Sequence, residues 1–309
     1  MFKRIGILAH PQRPASGPIG EQIKQRLQEH NIATWMQTTW DADIVAPLVA
    51  DSDMVIAIGG DGAMLRAARL CAPPNVPMFG INTGHLGFLT EASGETWEAA
   101  LSALLNGHYW IEQRMLIRSE AWRGTQLLSM SEALNDVVIS RGMIARSVLM
   151  ETYIDGGWAT TYAADGLIVA TPTGSTAYAL AVGGPILPPE LKNILVIPVA
   201  SHLSMDRPMV LSEGATVEVV IAPETAGDVI LTVDGEHTAT LQIGDCVIVR
   251  ASERISRFIR LRERNYFYRS LLDRMEPRIP VRREPAQRIL HNDIPGLSAN
   301  GISELDSVS

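Results

Sequence analysis

Met54-Val55-Ile56-Ala57-Ile58 is an unbroken apolar run of strand length, and it leads directly into Gly59-Gly60-Asp61-Gly62-Ala63. An apolar run without polar alternation is a strand buried on both faces, which requires helices on both sides of a parallel sheet. The preceding and following segments agree. Residues 5–9 read as a buried strand, and Ile19, Ile23 and Leu27 lie four apart on one helical face. Residues 32–36 and 76–81 read as strands, 63–72 and 97–105 as helices, and Asn106-Gly107 as a stop. The first hundred residues therefore predict a parallel sheet with flanking helices.

After about Tyr109 short β-rich runs recur at 137–140, 147–154, 167–170, 217–221, 229–233 and 246–250. Asp155-Gly156-Gly157 and Asp234-Gly235 separate some of them as turns. The pattern predicts a β-sandwich or another antiparallel domain, interrupted by one helix at about 176–182. The expected division is an α/β domain at 1–110, a β-rich domain at 111–262 and a C-terminal segment at 263–309. That segment is expected to pack partly on the N-terminal domain and then run into a solvated, mobile tail, with Arg274, Arg278, Arg282, Arg283 and Arg288 in it.

Four segments carry chemistry. In Gly59-Gly60-Asp61-Gly62 the glycines let backbone approach a ligand, and the helix start offers free N–H groups to phosphate. Asp61 can reach a substrate hydroxyl or a metal, or simply cap its helix. No G-x-x-x-x-G-K-[ST] is present, and the only lysines are Lys3, Lys24 and Lys192, so a lysine-based phosphate loop is excluded. Leu65 breaks the G-x-G-x-x-G spacing. Gly80-Ile81-Asn82-Thr83-Gly84-His85-Leu86-Gly87-Phe88 is a second close-approach loop. Asn135-Asp136 can read a base edge and ribose hydroxyls, or form a turn. From Asp165 to Pro185 a buried strand feeds Thr171-Pro172-Thr173-Gly174-Ser175-Thr176-Ala177-Tyr178, where hydroxyls cap a short helix or bind a polar ligand.

With 34 acidic against 26 basic side chains the net charge is −8, which disfavours nucleic acid and anionic membranes as partners. Apolar residues make up 46% of the chain, enough to fill a core. No apolar run is long enough to cross a bilayer and no signal peptide is evident, so a cytoplasmic chain is expected. Cys71 and Cys246 read as buried free thiols.

These segments, in this order, resemble the NAD kinase family across most of residues 3–262. The glycine–aspartate element is shared with lipid and phosphofructo-kinases, whereas the block at 165–187 resembles NAD kinases specifically. The resemblance implies an NAD kinase/diacylglycerol kinase-like fold: an α/β N-terminal domain plus a β-sandwich C-terminal domain. It implies phosphorylation of the 2′-hydroxyl of the adenosine ribose of NAD, with ATP or another donor such as polyphosphate, a divalent metal (Mg²⁺) and a homodimer or homotetramer. Asp61 is then the base, with Gly59, Gly60 and Gly62 as the phosphate-donor loop. Gly62, Arg66, Asn135, Asp136, Arg146, Asp165, Thr176, Ala177, Tyr178, Ala181, Ala200 and Glu236 join Asp61 in binding NAD. Ala63, Ala163, Ala181, Glu236 and the stretch at 202–208 depart from the usual residues of the family. A lipid kinase and a nucleotide-binding pseudokinase are the alternatives. The first needs an acyl groove, and the second binds NAD without making NADP.

Overall fold

The computed structural model describes residues 2–84, 87–142, 146–201 and 206–275. The chain opens β1(Arg4–Ala9), α1(Ser16–Glu29), β2(Ala33–Gln37), α2(Ala42–Ala50), β3(Met54–Gly59), α3(Asp61–Cys71), β4(Met78–Asn82), β5(Ala92–Ser93) and α4(Trp97–Leu105). There follow β6(Trp110–Arg123), β7(Gln126–Ala133), β8(Asp136–Arg141), β9(Val148–Ile154), β10(Gly157–Ala164) and β11(Gly166–Ala170). A 3₁₀ turn at Gly174–Thr176 and α5(Tyr178–Ala181) precede β12(Asn193–Val199), β13(Met209–Ser212), β14(Thr216–Ile221), β15(Val229–Val233) and β16(Glu236–Leu241). The described chain ends with β17(Cys246–Arg260) and α6(Tyr266–Met275).

β1 pairs in parallel with β2 and β3, and β3 with β4, as the apolar runs predict. Helix α1 buries Ile23 and Leu27, the face predicted from their spacing. Each such side chain contributes about 1.5–3 kcal/mol by leaving water. Helix α2 has no expectation behind it. Asp41 accepts an N–H from Asp43 at its start, and Val45 and Val49 lie one turn apart on its buried face. Pro47 sits inside it and hides the helical signal.

The second half is two sheets face to face. One runs β13-β12-β11-β8-β15-β16, and every pair in it is antiparallel. Its Val137, Ile139, Leu167, Val169 and Leu231 meet Ile117, Met150, Val217, Val219 and Val247 of the facing sheet in one dry core. That facing sheet does not stop at the sandwich. β17 continues to Arg260, well beyond the expected 246–250, and pairs in parallel with β4 through Phe258 and Met78. The order β10-β9-β14-β17-β4-β3-β1-β2 therefore carries one sheet through both halves.

Contacts divide the chain at Phe267: Met1–Phe267 is one unit, and beyond it only the rest of α6 is described. The expectations for the tail beyond residue 275, for His85 and for residues 202–205 lie outside the described residues. No helix among the described residues is long and apolar enough to cross a membrane. Cys71 is a buried free thiol that burial pushes up to about 12, while Cys246 is half-buried rather than buried.

Candidate active site

The tips of β1 and β3 lie side by side, with the His10 amide bonded to the Ile58 carbonyl at 3.0 Å. Beyond them is a cleft of about 380 Å³ whose lining includes His10, Arg13, Asp61, Arg66, Arg69 and Glu236. Gly60 is the extended residue that precedes α3, so Asp61 opens the helix. Its carboxylate does not cap the helix. It accepts the amides of Phe88 at 3.2 Å and Leu89 at 3.3 Å, from the loop after β4. Gly87 lies so close that an added Cβ would fall 1.8 Å from the Asp61 Oδ1. The second glycine loop thus holds the aspartate of the first, with Asp61 half-buried at the start of α3, where the intrahelical bonds begin only with the Ala63 amide on the Gly60 carbonyl at 2.9 Å.

Four basic side chains line this carboxylate's cleft. Arg13 reaches across to the Thr83 hydroxyl at 3.4 Å and meets no carboxylate among the described residues. His10 is pushed down by burial and by the charges of Arg13 and Arg66. Arg66 lies 3.4 Å from Glu236, and Arg69 pairs with the same carboxylate. Glu236, an expected departure from the family, is therefore matched by two arginines.

Asp234 is the residue that sequence reasoning missed, having read it only as part of a turn. Its side chain is fully buried and accepts the amides of Leu134, Asn135 and Asp136 at 2.9, 2.8 and 3.1 Å. It also lies 3.8 Å from Arg69. Asp234 thus fixes the Asn135-Asp136 pair beside the cleft. The signal that could have found it is the Asp-Gly that follows β15, since Asp tolerates the left-handed φ of +48° found there.

Burial, and then the charge of Asp234, push the Asp136 carboxyl up to about 7 from an ordinary 3.8. The folded chain keeps a proton there that the unfolded chain releases near pH 4. Stability from this group is therefore fully present below pH 4 and is lost as pH rises to about 7. Asp136→Asn is expected to raise Tm at pH 8 by roughly 2–4 °C per kcal/mol relieved, and by much less at pH 5. Thermal melts of the two proteins at both pH values check this.

The hydroxyl-rich loop uses its hydroxyls differently from the expectation of a helix cap. Thr171 donates to the Leu134 carbonyl and Ser175 to the Pro172 carbonyl, and the Thr173 hydroxyl accepts from Arg114 at 3.3 Å. Neither N-cap residue, Thr173 or Ala177, caps with its own side chain, but the Thr171 hydroxyl accepts the Gly174 amide at the start of the 3₁₀ turn at 3.1 Å. Thr173 and Ser175 are buried and shape the loop, while Thr176, Ala177 and the exposed Tyr178 remain accessible. Gly174 packs on the Asn135 backbone, which joins this loop to the Asn135-Asp136 pair.

Other expected residues stand apart. Asp165 pairs with Arg141 at 3.1 Å, and its amide bonds to the Val199 carbonyl, beside Ala200. These lie at the opposite end of β11 from Thr171, roughly 20 Å away by strand rise. Ala200 holds a left-handed φ of +47°, uncommon for a residue with a Cβ. Arg146 and Ala181 are exposed. No group of three or more His, Cys, Asp or Glu side chains able to hold a metal occurs among the described residues. The Asp61 carboxylate is of the oxygen-donor kind that would suit a hard divalent cation completing its shell from water or a ligand.

Residues 11–109 match the ATP-NAD kinase N-terminal domain, and residues 134–261 match the ATP-NAD kinase C-terminal domain. The chain belongs to the ATP-NAD kinase family. Within that family it is 41% identical over 275 residues to the NAD kinase of Chloroflexus aurantiacus, covering 89% of this chain and 99% of that one. The NAD kinase of Moorella thermoacetica is 38% identical over 282 residues, covering 89% and 90%. The same ATP-NAD kinase fold is found in the crystal structure of yeast NADH kinase complexed with NADH, at a TM-score of 0.78 and 21% identity over 88% of this chain and 87% of that one. An NAD kinase from Archaeoglobus fulgidus in complex with ATP superposes at 0.69 and 24% identity, covering 87% and 97%.

Proposed function

We propose that the chain transfers the terminal phosphoryl group of ATP to the 2′-hydroxyl of the adenosine ribose of NAD, yielding NADP and ADP. The observation that carries this reading is the Asp61 carboxylate, clamped by two amides at the start of α3 in a cleft lined by His10, Arg13, Arg66 and Arg69. Asp61 accepts or orients the ribose proton as the ribose oxygen bonds to the γ-phosphorus and the bridging P–O bond to ADP breaks. Such transfer needs positioning and charge neutralisation more than covalent catalysis. The first amides of α3 in the Gly59-Gly60-Asp61-Gly62 loop and the arginines hold the donor phosphates. A magnesium ion, when bound, neutralises phosphate charge, and Asp61 is the cleft carboxylate that would meet it.

Asn135 and Asp136 hold the adenosine, with Thr176, Ala177 and Tyr178 against the adenine. Gly62, Arg66, Arg146, Ala181, Ala200 and Glu236 are proposed to complete the dinucleotide contacts, with Asp165 toward the nicotinamide end. In this reading residues 1–110 present the donor and residues 111–262 hold NAD, in a cytoplasmic homodimer or homotetramer. Purified protein incubated with NAD, Mg²⁺ and, in parallel, ATP or polyphosphate is expected to form NADP, read by a coupled dehydrogenase assay. NAD binding by calorimetry without NADP from any donor would make the chain a binding protein instead.

A further inference from the structure

Behind Asp61 lies a buried ionic cluster that the proposed reaction does not use. Arg260, at the end of β17, is fully buried, as is Glu91, its partner at 3.2 Å. Its second partner is Glu112 at 2.8 Å, also buried. Glu112 holds Arg114 at 2.9 Å and accepts the Tyr266 hydroxyl at 2.9 Å. Arg114 donates to Tyr266 at 2.7 Å and reaches Thr173 of the hydroxyl-rich loop. Burial pushes the Glu112 carboxyl up, but Arg260 and Arg114 outweigh it and pull it down to about 2, so the cluster is ionic.

A buried ion pair is weak evidence for stability, because desolvation offsets the attraction. What the arginine touches is more telling. Arg260 donates to the Leu89 carbonyl at 3.3 Å and, at the long limit, to the Phe88 carbonyl at 3.5 Å. Phe88 and Leu89 are also the residues whose amides hold the Asp61 carboxylate. The Phe88 carbonyl and the Leu89 amide belong to one planar, conjugated peptide group. A guanidinium on its oxygen strengthens its N–H as a donor to the carboxylate on the other side.

We infer that Arg260 is a positioning residue for Asp61, gripping from behind the backbone that grips the carboxylate in front. Through Glu112 and Arg114 the same cluster braces Thr173, so both ligand loops rest on one support. This inference rests on the reading of Asp61 as the base. A lysine at 260 keeps the charge but has a single point of donation, and it cannot hold two carbonyls and two carboxylates in one plane.

The test is a double-mutant cycle on the full chain, with kcat and KM measured for Arg260→Lys, Asp61→Asn and the pair. Arg260→Lys is expected to lower kcat about 10–100-fold, with KM for NAD within about threefold. In the Asp61→Asn background it is expected to change kcat by less than about twofold, because the residue it positions is gone. An equal factor in both backgrounds overturns the inference and leaves Arg260 a structural residue. Should Arg260→Lys not fold, Tyr266→Phe is carried through the same two backgrounds. A loss confined to the chain with Asp61 supports the inference, and an equal loss in both overturns it. Asp61→Asn with undiminished kcat removes the reading of Asp61 itself. A diminished Asp61→Asn with equal Arg260→Lys factors removes only the role of Arg260.

Discussion

Asp61→Asn is expected to lower kcat by about 10²–10⁴-fold while leaving NAD affinity within a few-fold of the parent. The amide is nearly isosteric, so the helix start and the loop that packs on residue 61 through Gly87 need not move. What changes is the ability to take a proton, and with it one of the two amide bonds from Phe88 and Leu89, since the Asn nitrogen is a donor that cannot accept them. Binding should persist because the residues proposed to hold adenosine, Asn135, Asp136 and the 176–178 turn, are on other elements. Steady-state kinetics with NADP detection, together with calorimetric titration of NAD, separates the two effects. Undiminished turnover would show that another group orients the ribose hydroxyl.

Gly174→Ala should act on binding and stability together. A Cβ at residue 174 would stand 2.1 Å from the Asn135 carbonyl oxygen and 2.6 Å from its carbon, and backbone cannot swing aside as a side-chain tip can. Either the 171–178 loop or the Asn135-Asp136 turn must shift, and both belong to the proposed adenosine pocket. Overpacking of this kind costs about 1–3 kcal/mol. We expect KM for NAD to rise at least about tenfold, since a misplacement of one ångström at a positioned site costs that much or more. Gly214→Ala is the control, because an added Cβ there meets nothing within 4 Å. A normal KM in Gly174→Ala would mean that the loop moves without affecting NAD.

Much of the N-terminal half is legible in residue order. Continuous apolar runs become β1, β3 and β4, and Ile23 and Leu27 face inward from α1, because periodicity reports directly which faces must leave water. The helix at 97–105 is recovered at its full length. Helix α2 is not legible because Pro47 interrupts its signal, although Val45 and Val49 bury it all the same. The second half of β17 is not legible either. Residues 251–257 are mostly polar, and their strand conformation comes from the ladder with β6, across a register shift between Ala251 and Ile255.

At the site, local sequence determined the pieces: a glycine-flanked aspartate at a strand tip, a second glycine loop, an Asn-Asp pair and a hydroxyl-rich turn. Each depends on backbone freedom or side-chain chemistry that a few neighbouring residues specify. Only the tertiary structure decided how those pieces meet. The Asp61 carboxylate rests on amides 27 and 28 residues away, Asp234 braces a turn about a hundred residues before it, and Arg260 reaches back 171 residues to Leu89. Hydrogen bonds and ion pairs between distant segments leave no periodic trace in the chain, since they are set by which strands become neighbours and not by what stands beside them in sequence.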